Sequence, residues 1–262
     1  MDLKLSGRKA FISGSTKGIG LAIATSLARE GAHVVINGRN DSSTDSALEL
    51  IKAAVPNAVV EGFSGDLARA EESDRLFLQL PSLDILVNNL GIYEPKPFED
   101  IPDEDWRRFF EVNVLSGVRL SRAYLPGMKE RNWGRIIFIS SESGVQIPIE
   151  MVHYGVTKTA LLAVSRGIAE TCAGTGVTSN AILPGPTHTT GVDDFVAKLS
   201  DGKPFDEFER EFFRTVRPSS LLQRFALPEE VAALVTYVCS PLSSATNGAA
   251  LRVDGGVVRA CF

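Results

Sequence analysis

Short apolar, β-branched runs alternate with amphipathic stretches along the whole chain. Seven runs read as strands: Lys9–Ser13, Ala32–Ile36, Val59–Ser64, Asp84–Asn88, Arg135–Ser140, Thr178–Leu183 and Ala249–Val253. Several are apolar almost without interruption, as strands covered on both faces are. Between them, Leu21–Glu30, Ser46–Val55, Glu71–Leu80, Glu104–Met128, His153–Thr171 and Pro228–Cys239 carry helical periodicity. Pro228-Glu229-Glu230 is a strong helix start, with proline in the first turn and acids at the positive end of the dipole. Strand–helix alternation of this kind predicts an α/β fold: one doubly wound, Rossmann-type parallel sheet of about seven strands with helices on both faces. No repeat or low-complexity linker interrupts it, so residues 1–262 read as a single domain.

The stretch from Thr187 to Ser220 breaks the rhythm, with five phenylalanines and no strand pattern. Within it Phe205, Phe208, Phe212 and Val216 share one face of a short helix, while Asp206, Glu209, Arg210 and Arg214 occupy the others. Insertions of this length in compact domains are usually functional. The expectation is a mobile lid over residues 187–220, with Gly191, Gly202 and Pro218 as break points; the alternative is that the phenylalanines anchor the segment to the core.

Composition narrows the function classes. The chain is 44% hydrophobic and 23% charged, enough for a full core without staples. A formal net charge of −5 argues against nucleic acid or an anionic membrane as partner. The three cysteines are scattered and the three histidines stand at no ligand spacing, so neither a disulfide framework nor zinc is expected. No stretch has the length of a membrane span, and the start of the chain lacks the apolar run of a signal peptide, which makes the cytoplasm the expected location.

The first strand runs into Ser13-Gly14-Ser15-Thr16-Lys17-Gly18-Ile19-Gly20 and then a helix. Gly14 permits a tight turn, Gly18 a close approach of backbone to pyrophosphate, and Gly20 close helix packing. The helix N-terminus supplies free N–H groups and partial positive charge. The spacing, G-x-x-x-G-x-G, is that of the short-chain dehydrogenase/reductases, which the chain resembles from about residue 5 to residue 257. That family usually has threonine where Ser13 stands.

Tyr154 and Lys158 lie four residues apart on a helical stretch, hence on one face. An ammonium beside a phenol favours the phenolate and makes the tyrosine a usable acid or base near neutral pH. Ser141 lies thirteen residues before Tyr154, at the carboxyl end of a strand, where α/β sheets place their sites. Ser140 and Ser143 are competing neighbours. The resemblance implies that Ser141 steadies the substrate oxygen, Tyr154 transfers the proton, Lys158 holds the ribose hydroxyls and Asn113 keeps a water in a proton relay. It further implies cofactor contacts along the whole turn Gly14–Gly20, including Ser15, Thr16, Lys17 and Ile19. Others fall at Asp66 and Leu67, at Asn89 and Gly91 of N-N-L-G (where the family has a small alanine for Leu90), and at Pro184, Gly185, Thr187 and Thr189.

Strand two closes with Asn37-Gly38-Arg39, where Asn37 and Arg39 are expected cofactor contacts, and offers no acid until Asp41. With Lys17 in the first turn, Arg39 gives two cations for a 2′-phosphate, so NADP(H) is favoured and NAD(H) is the alternative. The resulting expectation is an oxidoreductase moving a hydride between that cofactor and a small, partly apolar carbonyl or alcohol. A dinucleotide-binding sensor is a rival from another class, and an epimerase would need a larger substrate domain. The resemblance also implies a homo-oligomer, dimer or tetramer, pairing through the helices around Asn113 and Tyr154.

Overall fold

The computed structural model describes residues 1–189 and 204–261. Its strands are β1 (Lys9–Ile12), β2 (His33–Gly38), β3 (Val60–Ser64), β4 (Ile85–Asn88), β5 (Gly134–Ile139), β6 (Val177–Pro184) and β7 (Ala250–Val253). All pair in parallel in the order β3-β2-β1-β4-β5-β6-β7. The seven strands match the seven apolar runs to within one or two residues. Chain direction across the sheet reverses between β1 and β4, which opens a crevice at their carboxyl ends.

Two apolar layers cover the sheet. On one face Ile23 and Leu27 of α1 (Gly18–Arg29) and Val231 and Val235 of α8 (Pro228–Cys239) pack against Ile12, Ile36 and Val87. On the other, Leu120 and Tyr124 of α5 (Ser116–Glu130) and Leu161 of α6 (Val152–Thr171) pack against Phe11, Leu86 and Phe138. Consecutive residues such as Phe11 and Ile12 therefore both need to be apolar. Helix α2 begins at Asp41, five residues before the expected start, because the Asn40 side chain accepts from Ser43 N–H at 3.0 Å and caps it.

The stretch predicted as one helix over Glu104–Met128 is built differently. An α-helix, α4 (Asp103–Phe110), passes into a π turn at Glu111–Leu115 before α5 begins. Asn113 sits in that turn, with Oδ1 accepting from Ile92 N–H at 2.7 Å and Nδ2 donating to Ile92 O and Thr157 Oγ1 at 3.0 Å. The extra residue in the turn accompanies an asparagine anchored to two neighbouring elements. Such turns recur at functional sites.

Asn37 is 2% exposed. Its Oδ1 accepts from Gly14 N–H at 3.0 Å, and its Nδ2 is shared among the carbonyls of Gly38, Phe63 and Gly65. Replacing it with leucine strands these groups in the interior. Asn37→Leu is expected to lower unfolding free energy by about 3 kcal/mol in urea titrations; a change under about 0.5 kcal/mol would show that the turn does not depend on it.

Candidate active site

The glycine turn is held from both sides. Gly14 and Gly18 have φ of +60° and +57°, a region that L side chains avoid. Asn89 Nδ2 donates to the carbonyls of Ser13 and Gly14 at 3.0 and 2.8 Å, while the Ser13 hydroxyl accepts from the N–H groups of Asn89 and Leu90 at 3.0 Å. Serine thus makes the link that a threonine hydroxyl would make. A Cβ on Gly20 would meet Asn89 Nδ2 at 2.5 Å and Gly14 O at 2.6 Å, so α1 starts pressed against the turn. No side chain caps α1, and Lys17, Gly18, Ile19 and Gly20 line a cleft of about 1170 Å³. An uncapped helix N-terminus facing a cleft fits a dinucleotide pyrophosphate. Thr189 closes over it from the far side, its Cγ2 lying 3.3 Å from where a Gly18 Cβ would be.

The same cleft is lined by Gly91, Ser141, Tyr154, Lys158, Pro184, Gly185 and Thr187. Among the three neighbouring serines, Ser140 spends its hydroxyl on Lys158 O at 2.7 Å. Ser141 Oγ accepts from Ser143 N–H at 3.1 Å and donates to Glu142 Oε2. Lys158 Nζ donates to Ile139 O at 2.9 Å and lies 5.5 Å from the Tyr154 ring centre. A Cβ on Gly91 would stand 3.4 Å from Lys158 Nζ and 3.6 Å from Asn113 Oδ1, so these two groups converge behind the tyrosine.

The expected lowering of the tyrosine pKa is not what the protein alone produces. Burial pushes the Tyr154 phenol up and Glu142 adds to the rise, against smaller opposing effects of Ser141 and Arg217. The Lys158 ammonium is aimed at a backbone carbonyl rather than at the phenol oxygen, and burial lowers its own pKa to about 8.

Other expected cofactor residues lie elsewhere. Ser15 is fully buried and donates to Ile12 O at 2.7 Å; Asn37 is saturated by backbone, and Leu67 is a core residue. None of the three reaches the cleft, because the scaffold consumes their polar groups or their volume. Thr16, Arg39 and Asp66 do not line it, and Asp66 Oδ1 accepts from Ala68 N–H at 3.2 Å.

The phenylalanine stripe divides. On helix α7 (Phe205–Thr215), Phe208 and Phe212 line the cleft together with Val216. Phe205 instead stacks on His188 at 4.5 Å. The anchor is Phe213, 1% exposed, packed edge-on against Phe225 at 5.2 Å. Gly191 and Gly202 lie outside the described residues.

Glu142, Glu150 and Arg217 also line the cleft, and the sequence reading passed over them. Arg217 Nε donates to Glu142 Oε1 at 3.2 Å, and its Nη1 donates to Glu150 Oε1 at 3.1 Å. Their only trace in the sequence was a carboxylate among the small residues after β5. Among the described residues no cluster of His, Cys, Asp and Glu could hold a metal.

A sequence profile described as enoyl-(acyl carrier protein) reductase matches residues 14–258. The uncharacterized oxidoreductase YvaG of Bacillus subtilis is 49% identical over 264 residues, covering 100% of both chains. The chain is a short-chain dehydrogenase/reductase. D-beta-hydroxybutyrate dehydrogenase of Cupriavidus necator is 34% identical, over 97% of this chain and 99% of its own. L-sorbose reductase from Gluconobacter frateurii, solved with NADPH and L-sorbose, superposes with a TM-score of 0.93 at 32% identity, covering 99% of this chain and 100% of that one. Membership makes the protein an NAD(P)-dependent oxidoreductase. Among the described residues of this reductase no helix is long and apolar enough to cross a membrane.

Because Lys158 holds its proton only below about pH 8, its charge beside Tyr154 is lost as pH rises through that value. The kcat/KM for carbonyl reduction, which reports the free enzyme, is expected to be level at neutral pH and to fall above about 8. A profile flat to pH 10 would separate catalysis from the Lys158 charge.

Proposed function

We propose that the protein reduces small, partly apolar carbonyl compounds with NADP(H), reversibly, through Tyr154. The observation that carries this reading is the meeting, in one cleft, of the uncapped start of α1 with Ser141, Tyr154 and Lys158. A bound nicotinamide supplies the hydride. Tyr154 gives its proton to the developing alkoxide, and Ser141 turns its hydroxyl toward that oxygen. Lys158 holds ribose hydroxyls, and Asn113, seated in the π turn, orders the water that returns a proton. Asp66 contacts adenine, and Thr187 and Thr189 close on the nicotinamide side.

Support for the phosphorylated cofactor comes from the end of β2. Arg39 is exposed there, Lys17 is exposed at the turn, and the next carboxylate, Asp41, belongs to the first turn of α2. Two cations without a competing acid match a 2′-phosphate. L-sorbose reductase, a structural relative, is itself an NADPH complex.

Helix α7 is read as the substrate lid: Phe208, Phe212 and Val216 form the apolar wall, while Phe213 and Phe225 form the hinge-side anchor. Partial exposure of Phe110, Leu115 and Val156 on the α4–α5 and α6 faces supports pairing of copies there. Light scattering is expected to give a dimer or tetramer, and a mass near 28 kDa would exclude it.

Tyr154→Phe removes one oxygen and keeps the ring packing. It is expected to bind NADPH normally while turnover falls roughly a hundredfold or more; near-wild-type turnover would place the proton elsewhere. Arg39→Ala should raise the KM for NADPH roughly tenfold or more and leave that for NADH nearly unchanged. Equal efficiency with both cofactors, unaltered by that substitution, would assign the site to NAD(H).

A further inference from the structure

The carboxylate beside the substrate-facing serine is the feature the general reaction does not require. Glu142 is 5% exposed, lines the cleft, and accepts the Ser141 hydroxyl proton on Oε2. Its Oε1 accepts from Arg217 Nε at 3.2 Å, and Arg217 is held in turn by Glu150 Oε1 and Val216 O, both at 3.1 Å. A serine hydroxyl has a single proton. While that proton is on Glu142, Ser141 has none to offer a carbonyl oxygen. A simple ketone can recruit Ser141 only by stripping Glu142 of a donor inside a buried site, which is costly.

We propose that Glu142 selects carbonyl substrates bearing a hydroxyl on the adjacent carbon, that is, α-hydroxy ketones or aldehydes and the matching diols. Ser141 Oγ and Glu142 Oε2 are one hydrogen bond apart, which is close to the separation of oxygens on neighbouring carbons. With the carbonyl oxygen at Tyr154 and Ser141, the neighbouring hydroxyl reaches Glu142. It donates the proton that Ser141 withdraws, and Ser141 turns to the carbonyl oxygen. No hydrogen bond is lost in the exchange. Arg217 is the positioning residue: paired through Nε with Glu142 and through Nη1 with Glu150, it keeps the Glu142 carboxylate facing the cleft. Substrates with a carboxylate in place of the hydroxyl meet Glu142 as a like charge and are refused. The apolar wall of Phe208, Phe212 and Val216 receives the remainder of the substrate.

This inference rests on the reading of the cleft as a carbonyl-reducing site, and three probes of matched size separate the two. 2-Hydroxyacetophenone, propiophenone and benzoylformate share the ketone and ring and differ only in hydroxymethyl, ethyl or carboxylate. They are assayed with NADPH and with NADH on the full-length wild type, Glu142→Gln and Glu142→Ala. For the wild type, kcat/KM is expected to favour 2-hydroxyacetophenone over propiophenone by roughly 10- to 100-fold, with benzoylformate poorest. In Glu142→Ala that ratio should collapse to within about threefold. In Glu142→Gln, which keeps size and removes charge, it should fall partway while benzoylformate improves. Arg217→Ala should raise KM for the hydroxy ketone far more than it lowers kcat, with partial recovery in Arg217→Lys. A wild-type ratio near one, or a ratio unchanged in both Glu142 variants, overturns the inference and leaves carbonyl reduction standing. No oxidation of either cofactor with any probe, by protein that still binds NADPH, overturns both.

Discussion

Two asparagines, Asn37 buried and Asn89 half-buried, hold the first glycine turn from opposite sides, and the site is assembled around that turn. Asn37, at the end of β2, binds the turn through Gly14 N–H and reaches across to the backbone after β3. Asn89, after β4, binds the carbonyls of Ser13 and Gly14. The turn sits where strand order reverses, so its two flanks belong to strands that diverge. Side-chain amides, with donors and acceptors on one planar group, can close that gap where no ladder continues. With the turn fixed, α1 points its free N–H groups into the cleft, and the loop after β4 brings Gly91 against Lys158 and Asn113.

Lys158 is held in the cleft at a cost. Lys158 is 5% exposed and its pKa drops from 10.5 to about 8. Below pH 8 the folded protein carries that buried charge, a penalty on the order of 3 kcal/mol. Between about 8 and 10.5 the unfolded chain binds the proton more tightly, so this group's contribution to stability improves as pH rises. A charge kept where stability disfavours it is the pattern of a functional residue. The Glu142–Arg217 pair follows the same logic, since buried ion pairs rarely improve stability over apolar packing.

The strands were legible because the sheet is covered on both faces: runs such as Arg135–Ser140 are apolar at nearly every position and too short for an ordinary helix. The glycine turn and the Tyr154–Lys158 pair were legible because their spacing is local. Three things were not. The π turn at Asn113 is a shift of backbone hydrogen bonds that leaves the apolar period almost intact. Asn37 and Ser15 read as cofactor contacts by position, yet their side chains are used up by carbonyls from other strands, a fact of tertiary geometry. Arg217 meets Glu142 across 75 residues, and nothing in the local pattern joins them. The aromatic stripe was half legible: its period showed the helix, but only burial distinguishes the anchor, Phe213, from the wall of Phe208 and Phe212 that lines the cleft.

In the proposed reaction this cleft delivers a hydride to one carbonyl carbon while Tyr154 supplies the proton. Deuterium placed at either face of C4 of NADPH, followed into the alcohol product by mass spectrometry and NMR, tests it most directly. One face alone should pass its deuterium to the former carbonyl carbon, in wild type and, far more slowly, in Tyr154→Phe. Label arriving from both faces, or washing out to solvent before it reaches the product, would contradict a single bound geometry in this cleft.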